Sequence, residues 1–330
     1  MRRAARLVRW YPASWRERYG AEFTELLLAE FADRPACRRR AADVIRSGLS
    51  ARLTVAGLTS HVIEPSDQVR ASLATLCCAL AAFLAFGIAM WSQLTTAWQW
   101  AQPDTAATRA AMVMMSGAVV VVAALALAGA APAAWCAVLA AVRGRPGLRR
   151  PVLLAALGAV VLVAGSHHFE NGWPGTGALS WAHQDMVPGG VAAFCWASTL
   201  SVSAYWAHPG ALLSFPGAEI AWMAVSPLAI LSLVAGAATA IRRLDMPARL
   251  LAFQARLASC VALGMVGFLL GAACWVLAGS VGQGVGQGAL FRPGLIDVLG
   301  LAVMAAALLT AARAAVSARR GAGLALPPAR

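Results

Sequence analysis

The chain has 330 residues, of which 60% are hydrophobic and only 12% charged. That much apolar surface cannot be hidden in one globular core, because single cores stop growing near about 300 residues. All 27 basic residues are Arg and give a net charge of +13, but most flank long apolar runs. This placement speaks against nucleic acid as a partner and for an integral membrane protein whose first partner is lipid.

The first element is a short basic helix over Arg2 to Trp10, with Leu7 and Val8 on one face. It leads into W-Y-P-A-S-W-R-E-R-Y-G at residues 10–20. Pro12 fixes its own φ and has no N–H, which suits the first turn of a second helix. From there Trp15, Tyr19, Phe23, and Leu26 or Leu27 recur at helical spacing and predict one apolar stripe. Arg16, Glu17, Arg18, Thr24 and Glu25 lie mostly off it. Gly20 costs such a helix about 1 kcal/mol relative to Ala, and close approach by another backbone is one reason to keep it.

After the Arg34-Pro35 break, residues 38–58 carry a second stripe through Val44 or Ile45, Leu49, Leu53 and Leu58. Arg38, Arg39, Arg40, Arg46 and Arg52 make this helix basic, which also suits contact with anionic lipid. Residues 1–66 are therefore expected to form a cytoplasmic three-helix module, close to the lower size limit for independent folding.

The residues Tyr11-Pro12, Trp15-Arg16, Arg18-Tyr19-Gly20 and Glu22 resemble the Y-P-x-x-W-R-x-R-Y-G-x-E prefix of many bacterial, especially actinobacterial, integral membrane proteins. The pattern is similar to the prefix modules that precede some permease-like membrane regions. Such modules also occur in membrane proteins paired with small transcription regulators. The resemblance covers about a fifth of the chain and carries no catalytic residue. The functional reading of this stretch is that the face around Trp15, Arg16, Arg18, Tyr19 and Glu22 docks a cytoplasmic protein. The alternative is that all of these aromatics are core and nothing docks there.

Behind the module, residues 67–320 are expected to form an all-α polytopic bundle, followed by a tail at 321–330. Six stretches are apolar and long enough to cross about 30 Å of hydrocarbon. They lie near 72–95, 111–141, 151–167, 219–241, 257–280 and 297–317. The second contains Pro132 and is expected to kink, tilt or end early. The third is the shortest. Residues 1–70 are polar enough that no signal peptide is expected, and the first span serves as its own insertion signal.

Arginine placement supports this map. Residues 1–70 hold 13 arginines, and the 143–150 loop, the 242–256 loop and the carboxyl-terminal stretch 313–330 hold four each, whereas Arg109 and Arg292 stand alone on the other side. The asymmetry places both termini in the cytoplasm of a cell membrane. Residues 187–207 are apolar, but a lone crossing there would export Arg242 and Arg243. They are read as a re-entrant, interfacial or hairpin segment of a long outer loop at 168–218. Trp91, Trp98, Trp100, Trp173, Trp181, Trp206, Trp222 and Trp275 fall near the outer boundary, as interfacial aromatics do.

Four of the five histidines lie in that outer loop or its edge, interleaved with carboxylates. His167, His168, Glu170, His183 and Asp185 are a candidate metal set, since imidazole and carboxylate suit Zn²⁺ and similar ions. A proton-sensing loop and a plain interfacial loop are the competing readings. The seven cysteines show no Cys-x-x-Cys and no disulfide framework, five of them lying inside spans. V-G-Q-G-V-G-Q-G at 281–288 reads as a flexible connector. Nucleophile elbow, Walker loop and dinucleotide fingerprint are all missing, so no enzyme and no cofactor are expected.

The spans hold almost no ionisable residue, which lowers the case for a proton-coupled transporter. Gly264, Gly267 and Gly271 allow close helix contact, and a homo-oligomer is compatible with such faces. The leading expectation is a membrane-anchored signalling, regulatory or scaffold protein whose prefix module docks a partner. The alternative is a permease-like transporter subunit or accessory, and the third is a metal-dependent membrane enzyme using the histidine loop.

Overall fold

In the computed structural model, residues 2–33, 38–58, 64–95, 106–145, 147–169, 217–282 and 295–325 are described. Regular structure among them is entirely helical: α1 (Arg2–Val8), α2 (Ala13–Asp33), α3 (Arg38–Val55), α4 (Pro65–Thr95), α5 (Ala106–Val142), α6 (Arg149–Phe169), α7 (Gly217–Arg243), α8 (Ala248–Gly282) and α9 (Leu295–Ala325). Five of these helices, α4, α5, α7, α8 and α9, are long and apolar enough to cross a membrane. The protein is thus a multi-pass membrane protein built as an all-α helical bundle.

The sixth expected span is helical as α6, with 21 residues, but it is not among those five. Its apolar interior is framed by Arg149-Arg150 and His167-His168, which leaves it the shortest of the set. The other helices outrun their expected limits because arginines at their ends extend into water without breaking the backbone ladder. α8, for example, starts at Ala248 and runs through Arg249 and Arg256. Pro132 does not end α5, which continues through it to Val142. The segments 187–207 and 283–294 lie outside the described residues.

Three antiparallel pairs organise the bundle. In α5–α8, Gly264 faces Val122 and Gly271 faces Met115 and Ala111, while Gln254 faces Gly129. In α6–α7, Gly158 faces Ala229 and Leu233, and Gly236 faces Pro151 and Ala155. In α4–α9, Gly321 faces Pro65 and Val69, and the Gln68 Nε2 donates to Ser317 Oγ at 2.8 Å. α8 also meets α4 through an edge-on Phe83–Phe268 pair with centroids 5.7 Å apart. Fully buried Met265 and Met304 fill the seam, lined by Ala311, Ala314 and Ala318. Small residues on α9 let its neighbours approach closely, which replaces the hydrophobic drive that lipid cannot supply.

The amino-terminal helices have a core of their own. Ala4, Leu7, Val8 and Leu27 are buried, with Phe23, Phe31, Val44 and Ile45 packed against them. Tyr11 stacks on Trp15 with centroids at 4.1 Å, and both meet Phe23 at 5.3 Å. The close backbone approach expected at Gly20 is at Gly48 instead. A Cβ on Gly20 would be in ordinary contact with Arg16 and Val8, whereas one on Gly48 would sit 3.0 Å from the carbonyl carbon of Trp10. Arg52 closes this junction by donating to the carbonyls of Trp10 and Arg9 at 2.6 and 2.7 Å.

A glycine cap joins this core to the bundle. At the end of α3 the Leu58 N–H bonds to the Leu53 carbonyl and the Gly57 N–H to that of Thr54, the paired bonds of a Schellman motif. Gly57 has φ +72°, a left-handed value that favours glycine. Its carbonyl accepts from buried Ser72 Oγ at 2.6 Å, and the Ala56 carbonyl from Thr75 Oγ1 at 2.7 Å. The capped end of α3 is therefore held against the third turn of α4.

Candidate functional site

Two regions bear on function: the outward face of α2 and the end of the bundle where the arginine-dense loops meet. On α2 the expected apolar stripe divides. Phe23 and Leu27 turn inward, Leu27 being buried, while Tyr19 and Leu26 are 45% and 66% exposed. Helical geometry explains the split, because an 11-residue interval returns Leu26 to the Trp15–Tyr19 side, and Leu27 lies about 100° away. Of the proposed docking residues, Trp15 is half-buried in the aromatic cluster, with Tyr19 tilted on it at 5.6 Å. Arg16, Arg18, Tyr19 and Glu22 are exposed. The outward face thus combines aromatic, aliphatic and charged groups of both signs.

Tyr11 sits under this face. Burial pushes its phenol above the ordinary value of 10.0, and a hydrogen bond with Ser47 partly offsets that rise. The ring is an anchor for α1, α2 and α3 together, and its hydroxyl is held neutral.

At the bundle end the loop after α7, Leu244–Pro247, is clasped from two sides. Arg70 on α4 donates to the Leu244 carbonyl at 3.1 Å and also bonds Asp67 and Ser66. Arg70 and Arg145 both approach Asp245, at 3.7 and 3.8 Å. Arg243 donates to the Gly147 carbonyl at 2.8 Å, and Arg149 to that of Ala141 at 3.3 Å. The sequence alone did not single out Asp245; its place as the one carboxylate within the two short arginine-dense loops is the signal that could have marked it. Gln254 is buried and donates to the Gly129 carbonyl at 2.6 Å. Together with Gln68–Ser317, these polar contacts fasten helix pairs near the same end.

The candidate metal set is brought together nowhere in the described residues. His167 and His168 fall on the last turn of α6, while Glu170, His183 and Asp185 lie outside the described residues. Among the described residues no three His, Cys, Asp or Glu side chains converge on a point. Cys77, Cys78, Cys136, Cys260 and Cys274 are free thiols. The chain matches no protein-family model, and no curated protein and no solved structure matches it.

Proposed function

We propose that this is a non-enzymatic membrane protein whose amino-terminal helices form a cytoplasmic docking module, fixed to a bundle of six spans that anchors or senses. The observation that carries this reading is the outward face of α2, where Tyr19 and Leu26 stand exposed beside Arg18 and Glu22 although the helix has a buried side available. Large exposed apolar groups rimmed by charge mark protein-docking surfaces. The cap at Gly57 supports the same reading, since it couples the module to α4 through short hydrogen bonds rather than through a loose linker.

The six-span count and a cytoplasmic placement of both termini rest on arginine distribution. The loops at 143–150 and 242–249 meet the start of α4 and the end of α9 at one end of the bundle. With α6 crossing as well, the number of spans is even and the termini share a side. The test is affinity purification of the full-length protein from its native membrane, beside an Arg16→Glu/Arg18→Glu variant. A co-purifying protein lost from the variant is the expected result. A protein set unchanged by the charge reversal would refute the docking role.

A further inference from the structure

A cavity of about 480 Å³ opens between the α5–α6 loop and the end of α7, lined by Gly144, Arg145, Gly147, Arg149, Arg150 and Arg243. Four of the lining residues are arginines, and the described lining holds no carboxylate. Asp245 pairs with Arg145 and is shared with Arg70. Gly144 and Gly147 have φ of +80° and +85°, so the loop curls back and places arginines from both of its ends around one space. Gly144 also closes α5 with a Schellman cap, its N–H on Ala141 and that of Arg145 on Ala140. The first turn of α6 adds the positive end of a 21-residue helix.

Away from the cavity, the two helices that flank its loop carry exposed apolar residues. On α6, Leu153, Leu154 and Leu157 follow Arg150 at helical spacing and are exposed. On α5, Trp135, Val138 and Val142 form a matching exposed stripe that runs toward Gly144. A compact anionic group at the mouth and long apolar chains along these two stripes fit this arrangement. We propose that the cavity binds the phosphodiester headgroup of an anionic phospholipid, with its acyl chains lying along α5 and α6. Guanidinium forks match phosphate oxygens bidentately, and basic pockets at the ends of membrane helices recognise such headgroups. Arg243 forms one wall through its bond to Gly147, and Arg150 lines the cavity at the start of α6.

The test uses the full-length protein purified in detergent and equilibrated with vesicles of phosphatidylcholine alone or mixed with phosphatidylglycerol. Native mass spectrometry then counts the lipids retained. The expected result is selective retention of phosphatidylglycerol, weakened about tenfold in Arg149→Gln/Arg150→Gln. Arg150→Gln alone, which keeps the Arg149–Ala141 bond, is expected to weaken it about fivefold and covers the case in which the double variant misfolds. Arg249→Gln/Arg256→Gln removes equal charge from α8 outside the cavity and is expected to retain the lipid within about twofold of the parent. Equal loss in that control would reduce the effect to general surface charge and overturn the site. So would retention without headgroup preference. Displacement of phosphatidylglycerol by inorganic phosphate would reassign the cavity to a soluble phosphate and overturn the lipid assignment.

Discussion

Gly236→Ala is the substitution whose effect follows most directly from the packing. A Cβ at that position would lie 2.6 Å from the Ala155 nitrogen, 2.6 Å from the Pro151 carbonyl oxygen and 2.9 Å from the Ala155 Cβ. Ordinary contact begins near 3.4 Å, so α6 and α7 must separate by about 0.8 Å. The obstructing atoms are mostly backbone of a helix, and no rotamer change removes them. The reciprocal position behaves alike, since a Cβ on Gly158 would lie 2.5 Å from the Ala229 oxygen. Overpacking of this kind costs about 1–3 kcal/mol, and the better helix propensity of Ala returns less than about 1 kcal/mol. A net loss of about 1–2 kcal/mol is expected, read as a fall of several degrees in Tm by circular dichroism in detergent. Gly267→Ala and Gly300→Ala serve as matched controls. The first would meet only the Ala118 Cβ at 3.8 Å and the second nothing within 4 Å, so both are expected to hold or slightly raise Tm. Equal Tm for Gly236→Ala and Gly267→Ala would refute the close-contact reasoning.

Gly57→Ala combines a left-handed φ with a Cβ 2.5 Å from the Ser72 nitrogen; it is expected to cost about 3 kcal/mol and to raise amide exchange at the end of α3 while leaving that of α8 unchanged. Gln254→Leu breaks a buried bond to Gly129, and the corresponding loss within a membrane bundle is about 0.6 kcal/mol, measurable against the parent by unfolding in denaturing detergent. For Tyr11 the folded phenol titrates above 10.0, so its contribution to stability is intact below that pH and is lost as pH rises through the elevated value; near-ultraviolet dichroism of the aromatic cluster should collapse there, and Tyr11→Phe should remove that tyrosine's share of the alkaline transition. Arg143→Cys and Ser14→Cys, each alone in a background without native thiols, should react with a membrane-impermeant maleimide from the same side; labelling from opposite sides would contradict the six-span map.

Much of the fold was legible because two signals in this chain are strong. Long apolar runs give α4, α5 and α7 to α9, and arginine clusters locate the end at which their loops meet. The α2 stripe shows the limit of that reading. Trp15, Tyr19, Phe23 and Leu26 or Leu27 share helical spacing, yet the cluster with Ala4, Leu7 and Val8 of α1 decides that Leu27 is buried while Leu26 stays exposed. Gly20 and Gly48 show it again, since a glycine in a helix announces a need for space without saying which neighbour needs it. The Gly264, Gly267 and Gly271 row was visible as a small-residue face, but among the described bundle helices the tightest backbone contacts are at Gly158 and Gly236, on helices whose sequences differ little from their neighbours.

By itself the sequence determined that this chain is helical and embedded in lipid, because apolar run length and the cost of moving guanidinium groups across hydrocarbon are properties of single segments. Tertiary structure alone decided that α8 is shared by α4, α5 and α9, that Asp245 ties Arg70 to Arg145, and that four arginines surround one cavity. Those facts depend on which helix lies beside which. In a membrane that choice is made by shape and a few polar contacts between surfaces of nearly equal hydrophobicity, so hydrophobic pattern carries little record of it.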